Sequence, residues 1–305
     1  MKLLTKTADT PAKNFSISAS KPLSENLEKK SRKKLVKTIF SHLFLSLLGL
    51  VFLFPFIWLV LSALKTPEEI FQFPPSIFPE SPQWDNFSRA FTTLPFLQYT
   101  LNTVFLCAVN IFGQLLSAPL TAYSISKIKW KGRKVVFGII IATMILPGQV
   151  TMIPVYIIFS QLGWVNTYLP LTIGAFFGSA FNIFLTRQFI MGIPNELSEA
   201  ARIDGASEIR IFFQIIYPLL MPPLATIAIF TFTGVWNDFM GPLIYLNDDS
   251  LWTITLGLQG FLSQHGGQWE LLMAAATIFT LPSIIIYFVG QKYFMKAGAS
   301  LSSFK

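Results

Sequence analysis

The stretch at residues 39–64, IFSHLFLSLLGLVFLFPFIWLVLSAL, contains no Asp, Glu, Lys or Arg. A helix that crosses the roughly 30 Å hydrocarbon core of a bilayer needs about 20 consecutive, mostly apolar residues. The stretch exceeds that length, and the polar segment before it is too long for the short basic start of a cleaved signal peptide. It therefore predicts an uncleaved first membrane-spanning helix.

Five further apolar stretches follow along the chain, and none carries the continuous polar stripe of a soluble amphipathic helix. They are residues 99–123, 135–159, 162–186, 219–246 and 271–289. Charged residues make up only 12% of the chain, against about 25% in an average soluble domain. The mean hydropathy is +0.56. These features exclude a disordered chain, disfavour a soluble enzyme and predict an all-α integral membrane protein with six transmembrane helices.

The basic residues are distributed unevenly between the connections. All but Lys65 and Arg89 lie in residues 1–38, 127–134, 187–210 or 292–305. Because short basic loops stay on the cytoplasmic side, this distribution places both termini in the cytoplasm. The predicted domains are a basic flexible tail (1–38), a six-helix transmembrane domain (39–291) and a C-terminal tail (292–305). The net charge of +8 then reflects topology and membrane lipid rather than nucleic acid.

Three connections are predicted to face outward: residues 65–98, 160–167 and 247–270. The proline-rich segment 65–98 is expected to be extended and turn-rich rather than helical. The segment 247–270 is acidic and glycine-rich, and it is expected to form a flexible, exposed loop.

The connection at residues 187–218 predicts a short helix, a glycine corner and a second, amphipathic helix. Pro194 favours a helix start, Gly205 a helix end and Ser207 the capping of the next helix. The first helix has a face made of Leu197, Ala200, Ala201 and Asp204, which is small and apolar until it ends at Asp204. The apolar face of the second is Ile209, Phe212, Phe213 and Ile216. Spacing alone leaves two uses open: docking in a groove of another protein, or packing on the same chain at the membrane surface.

The same connection resembles a known signature. Glu199-Ala200-Ala201, followed by Gly205 and by Ile215-Ile216-Tyr217-Pro218, resembles the EAA motif of binding-protein-dependent ABC importer permeases. Tyr217 stands where that motif usually has Leu.

Two downstream stretches are similar to carbohydrate permeases of the maltose-transporter type. They are Trp236-Asn237-Asp238-Phe239, and Leu256-Gly257-Leu258-Gln259 with Ala274-Ala275-Ala276 after it. The resemblance covers roughly residues 39–294 and implies the type I ABC importer transmembrane fold.

What the resemblance implies is a permease subunit of an ATP-driven sugar importer in the bacterial cell membrane. The implied partners are a second permease, two ATPase subunits that bind ATP and Mg, and an extracellular solute-binding protein that delivers a sugar or oligosaccharide. The chain itself would hold no cofactor. The residues implied in coupling to the ATPases are Glu199, Ala200, Ala201, Asp204 and Gly205. Those implied in contacting the binding protein are Gln264, His265, Gly266 and Gly267.

Polar side chains inside membrane spans usually face the bundle interior or a cavity. The candidates for a substrate path are Asn102, Asn110, Gln114, Asn182, Trp236, Asn237 and Asp238. For the amides, the alternative is hydrogen bonding between helices. For Asp238, the alternative is capping of nearby backbone at a helix break.

The sequence contains no P-loop, no His-Glu-x-x-His motif and no catalytic constellation, so neither a catalytic nor a metal site is predicted. The single cysteine, Cys107, excludes an intramolecular disulfide. A secondary transporter is an alternative, but it predicts paired repeats with ionisable residues at the midplane. An intramembrane enzyme is a second alternative.

Overall fold

The structure, a computed structural model, describes the backbone of residues 23–263 and 267–303 and the side chains of residues 34–262 and 267–291. Every regular element within these ranges is a helix, which confirms the predicted all-α class. The chain divides into two units, Met1–Phe56 and Ile57–Lys305.

The helices differ widely in length, and several follow one another with only a short break. In chain order they are α1 (Leu23–Ala63), α2 (Pro67–Ile70), α3 (Asp85–Thr93), α4 (Phe96–Ser126), α5 (Arg133–Thr143), α6 (Gly148–Gln161), α7 (Leu169–Thr172), α8 (Ala180–Gly192), α9 (Asn195–Ile203), α10 (Glu208–Ile211), α11 (Tyr217–Leu219), α12 (Met221–Trp236), α13 (Met240–Tyr245), α14 (Ile254–Ser263) and α15 (Trp269–Ser303). Two 3₁₀ segments, Ile173–Phe177 and Asp249–Leu251, and a π-helical segment, Phe212–Ile216, complete the described elements.

Four helical stretches in the described residues are long and apolar enough to cross a membrane by themselves. They are Lys34–Ala63, Phe96–Ser126, Leu169–Gly192 and Trp269–Gln291. Two further stretches are bent, by 102° between α5 and α6 and by 79° between α11 and α12. The number of spans is six if each bent pair counts as one. The chain is thus a multi-pass membrane protein, and six spans remain a prediction.

The first and last helices extend beyond the predicted boundaries of the transmembrane domain. α1 begins at Leu23, although residues 1–38 were expected to form a flexible tail, and α15 continues through residues 292–303. Lys, Glu and Leu, which are common in residues 23–38, are strong helix formers. Once the apolar part of a helix has formed, such residues prolong it without needing a buried face.

The expectation that segments 65–98 and 247–270 are non-helical is wrong in part. Segment 65–98 contains the nine-residue helix α3, which lies in its proline-free part. The Asn86 side chain fixes this helix by donating to the carbonyls of Ala63 and Lys65, each at 3.0 Å. Segment 247–270 contains α14, whose Ile254 and Phe261 are buried. Large apolar side chains in both segments give them a packed face that their proline and glycine content obscures.

Helix α4 is the central element of the unit Ile57–Lys305. It packs against α8, α12, α14 and the 3₁₀ segment Ile173–Phe177. A Cβ added at Gly113 would lie 2.9 Å from the Cβ of Ala175, so the two backbones approach closely there. Ser117 donates to the Ala175 carbonyl at 2.7 Å. Small residues that permit close approach and interhelical hydrogen bonds are the usual means of holding helices together in a bilayer.

We expect Gly113→Ala to destabilise the protein, because the added methyl group would overlap Ala175. The expected loss is about 1–3 kcal/mol, as for other overpacked interiors. It is measured as a lower thermal unfolding temperature in detergent. Gly138→Ala on α5 is the matched control, because its Cβ would meet nothing within 4 Å. Equal melting temperatures for the two variants would contradict the close approach.

Candidate functional site

The connection after α8 has the local structure that the sequence predicted. α9 ends at Ile203, Asp204 is its C-cap, and Gly205 has a φ of +80°, a backbone conformation that favours glycine. The amide of Ala206 then donates to the Ala201 carbonyl at 2.9 Å, which closes the corner. Ser207 caps α10 by accepting from the amide of Arg210 at 3.4 Å.

The outer face of α9 is open to its surroundings. Glu199, Ala200, Asp204 and Gly205 are exposed, and Ala201 is half-buried. Ser198, on the opposite side, is 1% exposed. The residues that the EAA resemblance assigns to coupling therefore lie together on an accessible surface of small side chains.

The start of α9 is tied to the end of α4 through Lys127. The ammonium group of this side chain donates to the Ile193 carbonyl and, at 2.7 Å, to the side-chain oxygen of Asn195. Partial burial lowers the pKa of Lys127. The ammonium group thus bridges two helices through oxygen acceptors of the α8–α9 connection.

A carboxylate ties the other end of α9 to α4. Glu208 accepts from the Arg202 guanidinium at 2.6 Å and from the Tyr123 hydroxyl at 2.7 Å. The hydrogen bond from Arg202 holds the pKa of Glu208 below its ordinary value and raises the pKa of Arg202. Both groups are therefore charged at neutral pH, and Glu208 connects the C-terminal end of α9 to α4 through an ion pair and a hydrogen bond.

The second helix of the connection follows the predicted apolar face in part: Phe212 and Ile216 are buried as predicted, and the other two positions are not. Ile209 is 73% exposed and Phe213 45% exposed, whereas Ile211 is fully buried. The wider turn of the π-helical segment Phe212–Ile216 changes the periodicity that the prediction assumed to be α-helical. Tyr217, the departure from the usual motif, packs its ring against Phe212, with the centroids 5.7 Å apart.

Three of the predicted substrate-path amides lie together between α4 and α8. The Gln114 side-chain oxygen accepts from the Asn182 side chain at 2.9 Å and from the Ser179 amide at 3.0 Å. Asn110 donates to the Leu171 carbonyl at 3.0 Å. These three amides border a cavity of about 330 Å³, which we call the amide cavity. Its full lining is Asn110, Gln114, Ser179, Phe181, Asn182, Phe230, Thr231, Gly234 and Val235.

The other four candidates for the path lie elsewhere. Asn102 donates to the carbonyls of Ser250 and Trp252, each at 2.9 Å. Asn237 is exposed and donates to its own helix. Asp238 accepts from the Gly241 amide at 3.1 Å, which is the capping alternative considered for it. Their part in a substrate path remains a prediction.

Trp236 forms part of a packed aromatic stack. Its ring is 2% exposed and stacks with Phe232 and Phe279, with centroids 5.2 and 5.7 Å away. The indole N–H donates to the Phe279 carbonyl at 3.1 Å. This geometry fixes α12 against α15.

The aromatic residues that line the amide cavity were not predicted from the sequence. Phe181 and Phe230 have ring centroids 5.9 Å apart and lie on different helices, α8 and α12. In a chain this rich in phenylalanine, composition does not single them out. The Gly178-Ser179 step is the one available signal, because Ser179 caps α8 and marks a helix start inside an apolar stretch.

The loop assigned to binding-protein contact lies mostly outside the described residues. Gln264, His265 and Gly266 fall in that gap. Gly267 is described and has a φ of +82°, and it lies two residues before Trp269, where α15 begins.

The helices define a multi-pass membrane protein with an accessible surface on α9. Residues 114–297 match the family described as binding-protein-dependent transport system inner membrane component. The chain belongs to this family, so the resemblance drawn from the sequence is confirmed.

Curated relatives extend the match over most of the chain. The probable ABC transporter permease YurM of Bacillus subtilis (strain 168) is 33% identical, over 86% of this chain and 87% of its own length. The melibiose/raffinose/stachyose import permease MelC of the same strain is 35% identical over 75% and 83%. The sn-glycerol-3-phosphate permease UgpE of Pectobacterium atrosepticum is 33% identical over 85% and 94%. The chain is accordingly an ABC transporter permease.

A solved structure shares the fold. A chain of a bacterial ABC transporter that imports the acidic polysaccharide alginate matches with a TM-score of 0.76 and 25% identity, over 86% of this chain and 98% of that one. A chain from the structure of a bacterial alginate ABC transporter in complex with an alginate pentasaccharide-bound periplasmic protein matches with a TM-score of 0.58 and 17% identity, over 88% of this chain and 96% of that one. The type I importer fold is thus present in this chain.

We expect Glu208→Gln to loosen the α9–α4 contact, because the neutral amide cannot pair with Arg202 as a carboxylate does. Hydrogen–deuterium exchange of residues 195–208 should accelerate several-fold at neutral pH. Glu196→Gln is the matched control, since no hydrogen bond of its carboxylate occurs within the described residues. The pKa of Glu208 is lowered by folding, so its contribution is complete above the carboxyl group's ordinary pKa. It is lost as the pH falls through the lower, folded value. Unchanged exchange in Glu208→Gln would refute this tie.

Proposed function

We propose that this chain is the six-span permease subunit of an ATP-driven importer that takes up a sugar or oligosaccharide. Both termini lie in the cytoplasm under this proposal, because the basic connections occur on that side. The names of the relatives support a carbohydrate substrate, since MelC is a permease for melibiose, raffinose and stachyose.

The observation that carries the substrate class is the lining of the amide cavity. It combines three side-chain amides and two hydroxyl groups with two phenyl rings, and no charged residue borders it within the described part of the chain. Amides exchange hydrogen bonds with hydroxyl groups, and aromatic faces pack against the apolar face of a sugar ring. A phosphate-bearing substrate such as glycerol 3-phosphate would call for basic groups there.

The proposed assembly contains a second permease, two ATPase subunits and an extracellular binding protein. ATP and Mg are bound by the ATPase subunits, into which the exposed face of α9 inserts. Closure of the ATPases moves α9, and the Glu208 and Lys127 contacts carry this motion to α4. Because α4 also borders the amide cavity, its movement alternates the access of that cavity between the two sides of the membrane.

The coupling role predicts that Glu199→Arg abolishes uptake of labelled oligosaccharide in cells that express the whole transporter. The bulky cation would occupy a surface of small side chains and repel any basic group facing it. The ATPase subunit should no longer co-purify with the tagged variant. Glu80→Arg, also at an exposed glutamate but far along the sequence from α9, is the control and should transport normally. Intact uptake in Glu199→Arg, together with an ATPase that never co-purifies with the unaltered chain, would overturn the proposal.

The substrate path predicts a different phenotype for the aromatic lining. Phe181→Ala should lower the uptake rate several-fold while ATPase co-purification persists, because the change removes a ring from the amide cavity and leaves α9 intact. Phe177→Ala is the matched control, since Phe177 is 74% exposed and lies outside the cavity lining. Equal uptake by both variants would exclude the cavity from the path.

A further inference from the structure

A second cavity, of about 210 Å³, lies where the end of α4, the start of α5 and the end of α8 meet. We call it the cationic cavity. Its basic residues are Arg133, Lys134 and Arg187, and no acidic residue lines it. The remaining lining is Ile125, Ser126, Phe137 and Met191.

Arg187 is the best-fixed of the three basic residues. Its guanidinium carbon lies 4.0 Å from the centroid of the Phe137 ring, which holds the group in place by a cation–π contact. The Nε atom is buried and has no hydrogen-bond partner among the described residues. The guanidinium charge is thus held against an aromatic face, and no acidic side chain of the cavity lining offsets it.

The other two basic residues are not neutralised within the described part of the chain either. Arg133 donates to the Ile128 carbonyl at 3.2 Å, a neutral acceptor. Lys134 is exposed and forms no ion pair there. The neighbouring cavity beside α9 differs, because there Glu199 and Glu208 accompany the basic residues. Arg133 borders both cavities and so lies near these carboxylates, whereas Lys134 and Arg187 line the cationic cavity alone. The charge without an acidic neighbour is therefore that of Lys134 and Arg187.

We propose that the cationic cavity binds a phosphate group, and that the phosphate belongs to the headgroup of an anionic phospholipid in the inner leaflet. Guanidinium groups are well suited to phosphate, since their planar array of donors matches its oxygens. A water molecule occupies about 30 Å³ in the liquid, so 210 Å³ has room for a phosphate group and bound water.

Apolar side chains around the cavity favour a lipid over a free ion. Ile125, Phe137 and Met191 line the cavity, and Met191 at the end of α8 is 57% exposed. Basic pockets between helices at the cytoplasmic surface, with apolar groups beside them, fit an anionic headgroup and its acyl chains. This inference rests on the proposed orientation of the chain, not on the sugar that it carries.

The test uses the full-length chain purified in detergent together with its partner subunits and freed of lipid. Binding of phosphatidylglycerol, phosphatidylcholine and inorganic phosphate is measured by native mass spectrometry. Arg187→Gln and Lys134→Gln are the test variants, and the exposed Lys134 guards against a folding defect at Arg187. Lys131→Gln is the matched control, because Lys131 is an exposed lysine of the same connection that does not line the cavity.

The expected result is preferential binding of phosphatidylglycerol, weakened about fivefold by each test variant, as for the loss of one basic residue near an anionic membrane surface. The control variant should bind like the unaltered chain. Equal binding of both lipids, or equal weakening by Lys131→Gln, would overturn the proposal. Retention of inorganic phosphate that depends on Arg187 and Lys134, without a lipid preference, would overturn the lipid as the source of the phosphate. Because binding is measured without transport, these outcomes are independent of the uptake experiments.

Discussion

Helices inside a bilayer gain little from leaving lipid for one another, so close packing and interhelical hydrogen bonds must hold them together. In this protein both requirements meet on α4. Gly113 allows the 3₁₀ segment Ile173–Phe177 to approach, and the Ser117 hydroxyl donates a hydrogen bond to the backbone of that segment. The Gln114 side chain accepts a hydrogen bond from the backbone at the start of α8. The positions of α8 and of the amide cavity follow from these contacts. The α9 connection, which begins where α8 ends, depends on them in turn.

The breaks in the helices follow from the same constraint. A helix that stops inside an apolar region leaves backbone donors and acceptors without partners, and water is not there to replace them. Here side chains take that role: Ser179 caps α8, and Asp238 caps α13. The polar residues that looked most suggestive of transport thus include several that make an interrupted helix possible.

How much could be predicted from the sequence depended on the kind of signal. Apolar length and motif spacing foretold the membrane class, the helix–glycine–helix connection and the family. They also singled out Asn110, Gln114 and Asn182, because amides are rare enough in apolar stretches to stand out. Phe181 and Phe230 gave no such signal, since their proximity arises from the packing of α8 and α12. The exposed side of α10 was misjudged because the π-helical segment alters the period, and periodicity analysis assumes a constant turn.

The oxygen of Gln114 has two donors, one on the backbone of α8 and one on the Asn182 side chain. Under the proposed function, a ligand in the amide cavity competes for this acceptor. A molecule that only accepts hydrogen bonds would leave the Gln114 oxygen without a donor. A molecule that only donates would leave the displaced N–H group without an acceptor. A hydroxyl group does both, so it can be exchanged into the network without leaving a polar atom unpaired. Selection for polyols would then arise from the hydrogen bonds between Gln114 and the start of α8. It would not require a contact that is specific to one sugar.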